Sequence, residues 1–206
     1  MAIACITSLV FCKSASAQDQ YVYTGYGVSI ELPQLSSNTH LYGAGIHVSQ
    51  LRSLSYEDMD LYLEYGLSAA FATGKESASA SLFSSSDLGF ETKIYYGYIT
   101  LPVNLHYGFS SFLDKWAGCS RTTVFVGPSI TYNAYNKGKN SSYGYDDASN
   151  PTTNIKGVNK FMIGFQLGLA LGVGDGFYTS VSFFGNISKY IKNGSSVSGL
   201  KLSVTF

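Results

Sequence analysis

The sequence predicts an all-β protein: a closed, antiparallel, up-and-down transmembrane β-barrel of eight strands. Three observations lead there. In Asn159–Val173 every second residue is apolar (Phe161, Ile163, Phe165, Leu167, Leu169, Leu171, Val173). The residues between them are small or polar apart from Met162, so the strand has two faces meeting different surroundings. Charged residues make up only 13% of the chain, about half the share of a soluble domain. No run of apolar residues outside the first seventeen is long enough for a transmembrane helix, and the apolar residues are instead spread over alternate positions.

The elements follow in order. Residues 1–17 read as a signal peptide: Ala2–Phe11 is mostly apolar and Ala15-Ser16-Ala17 is a small-x-small cleavage site, leaving 18–206 as the barrel domain. No Lys or Arg precedes that apolar run. A lipid anchor on Cys12 is the competing reading, opposed by the bulk of Phe11. Cleavage leaves one cysteine, Cys119, and a lone cysteine closes no internal disulfide.

The first strand is Tyr21–Leu32, with Val22, Tyr26, Val28, Ile30 and Leu32 opposite Gly25, Gly27, Ser29 and Glu31. Pro33 and Gln34–Asn38 link it to His40–Leu51, where Leu41 breaks the alternation. Asp60–Phe71 alternates cleanly, and a serine-rich loop follows. Thr92–Phe109 carries Pro102, which marks a bulge or a weak ladder. Phe112, Leu113 and Trp116 then form an amphipathic turn. Thr122–Tyr135 precedes the longest loop, Asn136–Gly157, and the strands Asn159–Val173, Phe177–Ser188 and Ser196–Phe206 complete the set. The two longest links, Gly74–Glu91 and Asn136–Val158, fall at the same end, as expected of long extracellular loops opposite short periplasmic turns. An even strand count lets the sheet close without a free edge, which hydrocarbon demands.

Alternation alone does not say which face is inside. The polar face is dominated by Gly, Ser, Thr and Ala, whereas a water-facing surface carries far more charge. The Leu/Val/Ile/Tyr face is therefore assigned to lipid, with Tyr95, Tyr107, Tyr132 and Phe177 as interface girdles. The same parity turns Glu31, Glu64, His106, Lys160 and Lys201 into the lumen, where charges must pair. Eight strands leave no aqueous channel, so a structural plug is favoured over a polar path.

The chain resembles small Gram-negative outer-membrane barrels, and most closely the PorT-like outer-membrane β-barrel family. The resemblance rests on Ile99-Thr100-Leu101-Pro102-Val103, Val126-Gly127-Pro128, the glycine-spaced stretch Gly164–Gly174 and the terminal Leu200–Phe206. It implies an outer-membrane location, with Phe206 as the C-terminal signal read by the barrel-insertion machinery. It supplies no catalytic residue.

Chemistry is sparse. His47-Val48-Ser49 places a base and a hydroxyl on one face and looks like the pair of a family of lipid A deacylases. Both residues point away from lipid, and no acidic orienter is identifiable. The scattered histidines make no metal cluster, Asp146-Asp147 lacks a third oxygen-rich position, and no glycine pattern leads into a helix, so no metal, cofactor or catalytic site is assigned. With formal net charge zero and no basic stripe, nucleic acid is not an expected partner. The expectation is a non-enzymatic outer-membrane protein, structural, adhesive or accessory to an envelope complex. Its partners are membrane lipids and, through Phe83, Tyr143 and Tyr145 in the loops, another envelope or surface protein. A narrow porin-like channel or small-ligand transporter is the alternative, and a lipid-modifying enzyme the next.

Overall fold

Nine strands in one sheet are described by a computed structural model, which covers residues 22–36, 39–54, 60–76, 90–109, 121–142, 152–173, 177–191 and 196–206. The strands are β1 (Val22–Ser36), β2 (Thr39–Ser53), β3 (Leu61–Glu76), β4 (Phe90–Phe109), β5 (Thr122–Ser142), β6 (Thr153–Asn154), β7 (Phe161–Leu171), β8 (Tyr178–Lys189) and β9 (Ser196–Thr205). Eight of them form a ring: β4-β3-β2-β1-β9-β8-β7-β5, closed by β4 pairing with β5. Every pairing is antiparallel. The shortest ring strand has 10 residues, which meets the roughly 9–11 that a tilted strand needs to cross a bilayer. The predicted signal peptide lies outside the described residues.

The chain seals its own first and last strands. Between β1 and β9, Gly27 pairs with Thr205 and Glu31 with Lys201. Tyr26 and Phe206 exchange backbone hydrogen bonds of 2.9 and 2.7 Å, which extends the seam to the last residue. This pairing removes the free edge that the first and last ring strands would otherwise present.

Each ring strand turns a row of large apolar residues outward. Tyr26, Ile46 and Phe161 are 66%, 66% and 67% exposed, while Ser29, Thr131 and Ser203 on the opposite faces are buried. Aromatics gather towards both ends of this exterior. Tyr132 packs against Phe161 at 5.1 Å and Phe71 against Tyr135 at 6.0 Å at one end, and Phe177 against Phe206 at 6.0 Å at the other.

The structure corrects three boundaries. Pro33 does not end β1, which continues to Ser36 because Pro33 pairs with Gly199 on the β9 side. The loop expected from Asn136 does not begin there, since β5 runs on to Ser142 beside β4, with Phe90 opposite Ser142. The cause is a bulge: Tyr98 pairs with Asn133 and Gly97 with Tyr135, leaving Ala134 extra. An extra residue reverses the alternation beyond it, so Tyr135 faces out and Asn136 in. The far half of that stretch is also ordered. Thr153–Asn154 pairs with Lys137–Gly138, and Ile155 is buried.

Pro102 interrupts its ladders without shifting them. On β3, pairing stops at Tyr65–Val103 and resumes in the same register at Ser68–Thr100, so the proline marks a weak ladder and not a bulge. Opposite, β5 approaches β4 very closely at Gly127. A Cβ there would lie 1.8 Å from the Val103 carbonyl oxygen, which is backbone and cannot swing away. Gly127→Ala is expected to destabilise the barrel by about 1–3 kcal/mol, the usual cost of overpacking, as a lowered unfolding midpoint; an unchanged midpoint would contradict the close approach.

Candidate functional site

The inward residues stack in three layers. At the end of the long strands an apolar cluster closes the barrel, built from Leu35, Leu41, Ile94, Tyr96, Met162, Tyr190 and Val197, with Ile155 folded over it. At the other end Leu51, Tyr62, Phe125, Ala170, Val173 and Tyr178 form a second cluster. Polar and charged groups lie between.

Two carboxylates organise that middle layer. Glu31 faces Lys201 directly across the β1–β9 seam, with Nζ 3.3 Å from Oε1. Ser29 donates to the same oxygen at 2.9 Å, and the Tyr98 hydroxyl donates to Oε2. Glu64 lies one strand away from Asn104 in register. Its Oε2 is 3.0 Å from His106 Nε2 and accepts from Asn104 Nδ2 at 3.1 Å, while Oε1 accepts from the Tyr178 hydroxyl at 2.6 Å. With a proton on His106 Nε2 donated to Glu64, Nδ1 accepts from the Thr123 hydroxyl at 3.0 Å. The ring stacks on Phe125 at 4.7 Å, which fixes its plane. Each carboxylate therefore has at least three donors, the condition under which a buried charge is tolerated.

The expected luminal set is thus brought together in two pairs, Glu31–Lys201 and Glu64–His106, with one correction. Lys160 is exposed at the barrel mouth, in a bend just before β7, where its carbonyl accepts from the Asn133 N–H at 2.8 Å. Alternation was extended one residue too far, because β7 starts at Phe161. Tyr98, Asn104 and Tyr178 were missed. For Tyr98 and Tyr178 the available signal was a large hydroxyl-bearing ring on a face otherwise filled by small residues.

His47 and Ser49 do point inward, but each has another partner. His47 Nε2 is 2.9 Å from Thr205 Oγ1, and Ser49 Oγ is 3.3 Å from the Tyr178 hydroxyl. His47 Nδ1 is buried without a hydrogen-bond partner. Near the opposite rim Arg121 pairs with Asp60 at 3.3 Å and bonds the Tyr62 hydroxyl. Among the described residues, no group of three His, Cys, Asp or Glu side chains could hold a metal ion. Phe206 is exposed on the outer face beside Phe177. Phe83, Tyr143 and Tyr145 lie outside the described residues, as do Cys119 and Asp146-Asp147.

Among the described residues, small voids remain in the lumen. One of about 40 Å³ is bordered by His47, Glu64 and Tyr178, and one of about 20 Å³ by Glu31, Tyr96 and Tyr98. Either holds a water molecule or two; neither holds an organic ligand.

Together these features define a class: a small, closed, internally plugged β-barrel with an apolar exterior. Solved structures of similar architecture include Ail, the attachment invasion locus protein of Yersinia pestis, in complex with the heparin analogue sucrose octasulfate (12% identity, 91% of this chain and 98% of that one, TM-score 0.42). Neisserial surface protein A (14%, 91% and 98%, 0.42) and the N-terminal β-barrel domain of Pseudomonas aeruginosa OprF (13%, 90% and 100%, 0.32) are also similar. Likeness at this level carries no functional assignment to this chain. No protein-family model and no curated protein sequence matches it.

Proposed function

We propose that the chain is an integral outer-membrane protein of a Gram-negative bacterium whose barrel is a sealed membrane anchor. Its work, structural, adhesive or accessory to an envelope complex, falls to the loops at the end where β4 and β5 project. The observation that carries this reading is the exterior. From Tyr26 to Phe206 all eight ring strands contribute large apolar residues to the exposed exterior, and a barrel dissolved in water turns such residues inward. The finer placement, beside the PorT-like barrels, rests on the β4, β5, β7 and β9 segments that carry the resemblance. Phe206 serves as the insertion signal in that placement, exposed at the end of the closing seam where the insertion machinery has access to it.

The sealed lumen favours an anchor over a channel and over an enzyme. A polar layer whose two carboxylates are paired and hydrogen-bonded, with apolar clusters above and below it, offers neither a continuous water path nor a site for substrate. The purified mature protein is expected to need detergent to stay monodisperse, to insert into vesicles, and to give no steady single-channel openings in planar bilayers. A detergent-free soluble monomer would refute the membrane reading. Steady conductance by the monomer would refute the sealed lumen.

A further inference from the structure

Three features of the lumen meet at one place. The first is Asn104 on β4, only 2% exposed. Its Nδ2 donates to Glu64 Oε2 at 3.1 Å. An ionised carboxylate only accepts, so the amide is held in that orientation and Oδ1 is directed elsewhere. That oxygen is buried without a hydrogen-bond partner.

The second is His47 on β2. Nε2 lies 2.9 Å from Thr205 Oγ1, while Nδ1 is buried and unpartnered. In one tautomer Nδ1 is a donor and in the other an acceptor, so either way a hydrogen bond is left unmade. A molecule that both donates and accepts meets the need of this nitrogen and of Asn104 Oδ1 alike.

The third is the wall itself. Between Tyr65–Val103 and Ser68–Thr100 the β3–β4 ladder lapses beside Pro102, which has no N–H to give. Backbone left over at such a lapse finds no partner in hydrocarbon and has to be satisfied from within.

All three border the void of about 40 Å³, whose lining includes His47, Asn104, Gly66, Leu67 and Pro102. Ser49, Gln166 and Ser203 also line it, so the space is polar and takes about two water molecules. Buried polar atoms beside a polar space of this size are ordinarily satisfied by ordered water.

We propose that this void is a water-binding site, in which ordered water donates to Asn104 Oδ1, bonds His47 Nδ1 and reaches the lapse in the wall at Pro102. The site rests on the reading of a sealed lumen and adds a fixed component to it. Through Asn104 the water joins His47 to the Glu64–His106 pair, so the polar layer runs on from β4 to β2. Apolar clusters lie at both ends. Water held between them leaves only when one end yields, and its residence time reports how often that happens.

The test is water-selective NOE and ROE spectroscopy of the folded, isotope-labelled protein in phospholipid nanodiscs. Cross-peaks are expected from water to the His47 ring Hε1 and to the Asn104 side-chain amide, with opposite signs in the two experiments. That pair of signs marks water that stays bound while the barrel tumbles. Ser68 is the cross-strand partner of His47 and lines the void, so Ser68→Val should fill the space and abolish the His47 cross-peak. Ser68→Ala should keep it. Thr205→Val removes a hydroxyl whose exchange with solvent imitates bound water, and the His47 cross-peak should survive that change. Heat-modifiable gel mobility verifies that each variant is folded, and the threonine variant keeps the proposal open to refutation if Ser68→Val does not fold. Absence of both cross-peaks from the folded wild type overturns the site. So does a His47 cross-peak that persists in Ser68→Val or disappears in Thr205→Val. A void without bound water in a barrel that gives no conductance refutes the water site alone. Cross-peaks of the same sign in both experiments show free exchange with bulk water, which refutes the trapped site and, where the bilayer also conducts, the sealed lumen beneath it.

Discussion

Leu167→Arg is expected to destabilise the barrel in phospholipid vesicles by about 2–4 kcal/mol, whereas Tyr132→Arg should cost no more than about 1 kcal/mol. Both positions point outward, Leu167 with 53% exposure and Tyr132 with 36%. They differ in height: Leu167 is mid-strand in β7, and Tyr132 is the last residue of β5 to pair with β7, in the girdle. An arginine at the midplane is stranded in hydrocarbon, while one at the girdle reaches the headgroups. Urea unfolding in vesicles gives both numbers. The magnitude separates the two environments sharply. On a barrel bathed in water, Leu167 would be an exposed residue without special partners, and its replacement would change stability by about 0.5 kcal/mol or less. Equal, small losses at both heights would place the apolar exterior somewhere other than a membrane.

The strands were legible in the sequence because a two-sided environment imposes period two. Val28, Ile30, Ile46, Leu67, Val126 and Leu169 all sit on the side their parity indicated. The interior was harder. Leu41 and Met162 looked like breaks in the pattern, since a lumen of small polar residues was expected. Both are fully buried in the cluster that closes the barrel mouth. A narrow barrel has to seal its ends with bulk, so large apolar residues on the inner face near strand ends mark the plug. Read that way, Leu35, Ile94 and Val197 carried the same signal.

Register was not legible at all. Alternation says that Glu31 and Lys201 face inward, yet only strand pairing sets them opposite each other across 170 residues of chain. The same holds for Lys75, Lys93 and Lys139, unremarkable in sequence and abreast in the sheet. The bulge at Ala134 hid the last third of β5, because two successive outward residues look like the end of a strand. The loop aromatics Phe83, Tyr143 and Tyr145 carry no periodicity, so their part in any contact remains a proposal resting on residue type.

Glu64→Ala is expected to be the most damaging single change in the lumen, at about 3–5 kcal/mol. The carboxylate accepts from three side chains, and truncation leaves the Asn104 amide, the His106 ring and the Tyr178 hydroxyl without their shared acceptor. Tyr178 keeps its weaker contacts, with Ser49 at 3.3 Å and with Thr205. Glu64→Gln should cost less, since one side-chain oxygen still accepts. Glu64→Leu combined with His106→Leu should recover much of the loss, because an apolar pair of similar volume needs no partners and buried ion pairs are often neutral to such replacement. A double-mutant cycle in vesicles would give the coupling between Glu64 and His106 directly, and a coupling near zero would mean the pair does not hold the lumen. Conductance supplies the complementary readout. Removing the Glu64 side chain enlarges a void of about 40 Å³, but the apolar clusters at both ends stay intact, so the Glu64→Ala barrel should remain electrically silent. Openings in that variant would show that the carboxylate, and not the apolar ends, is what closes the lumen.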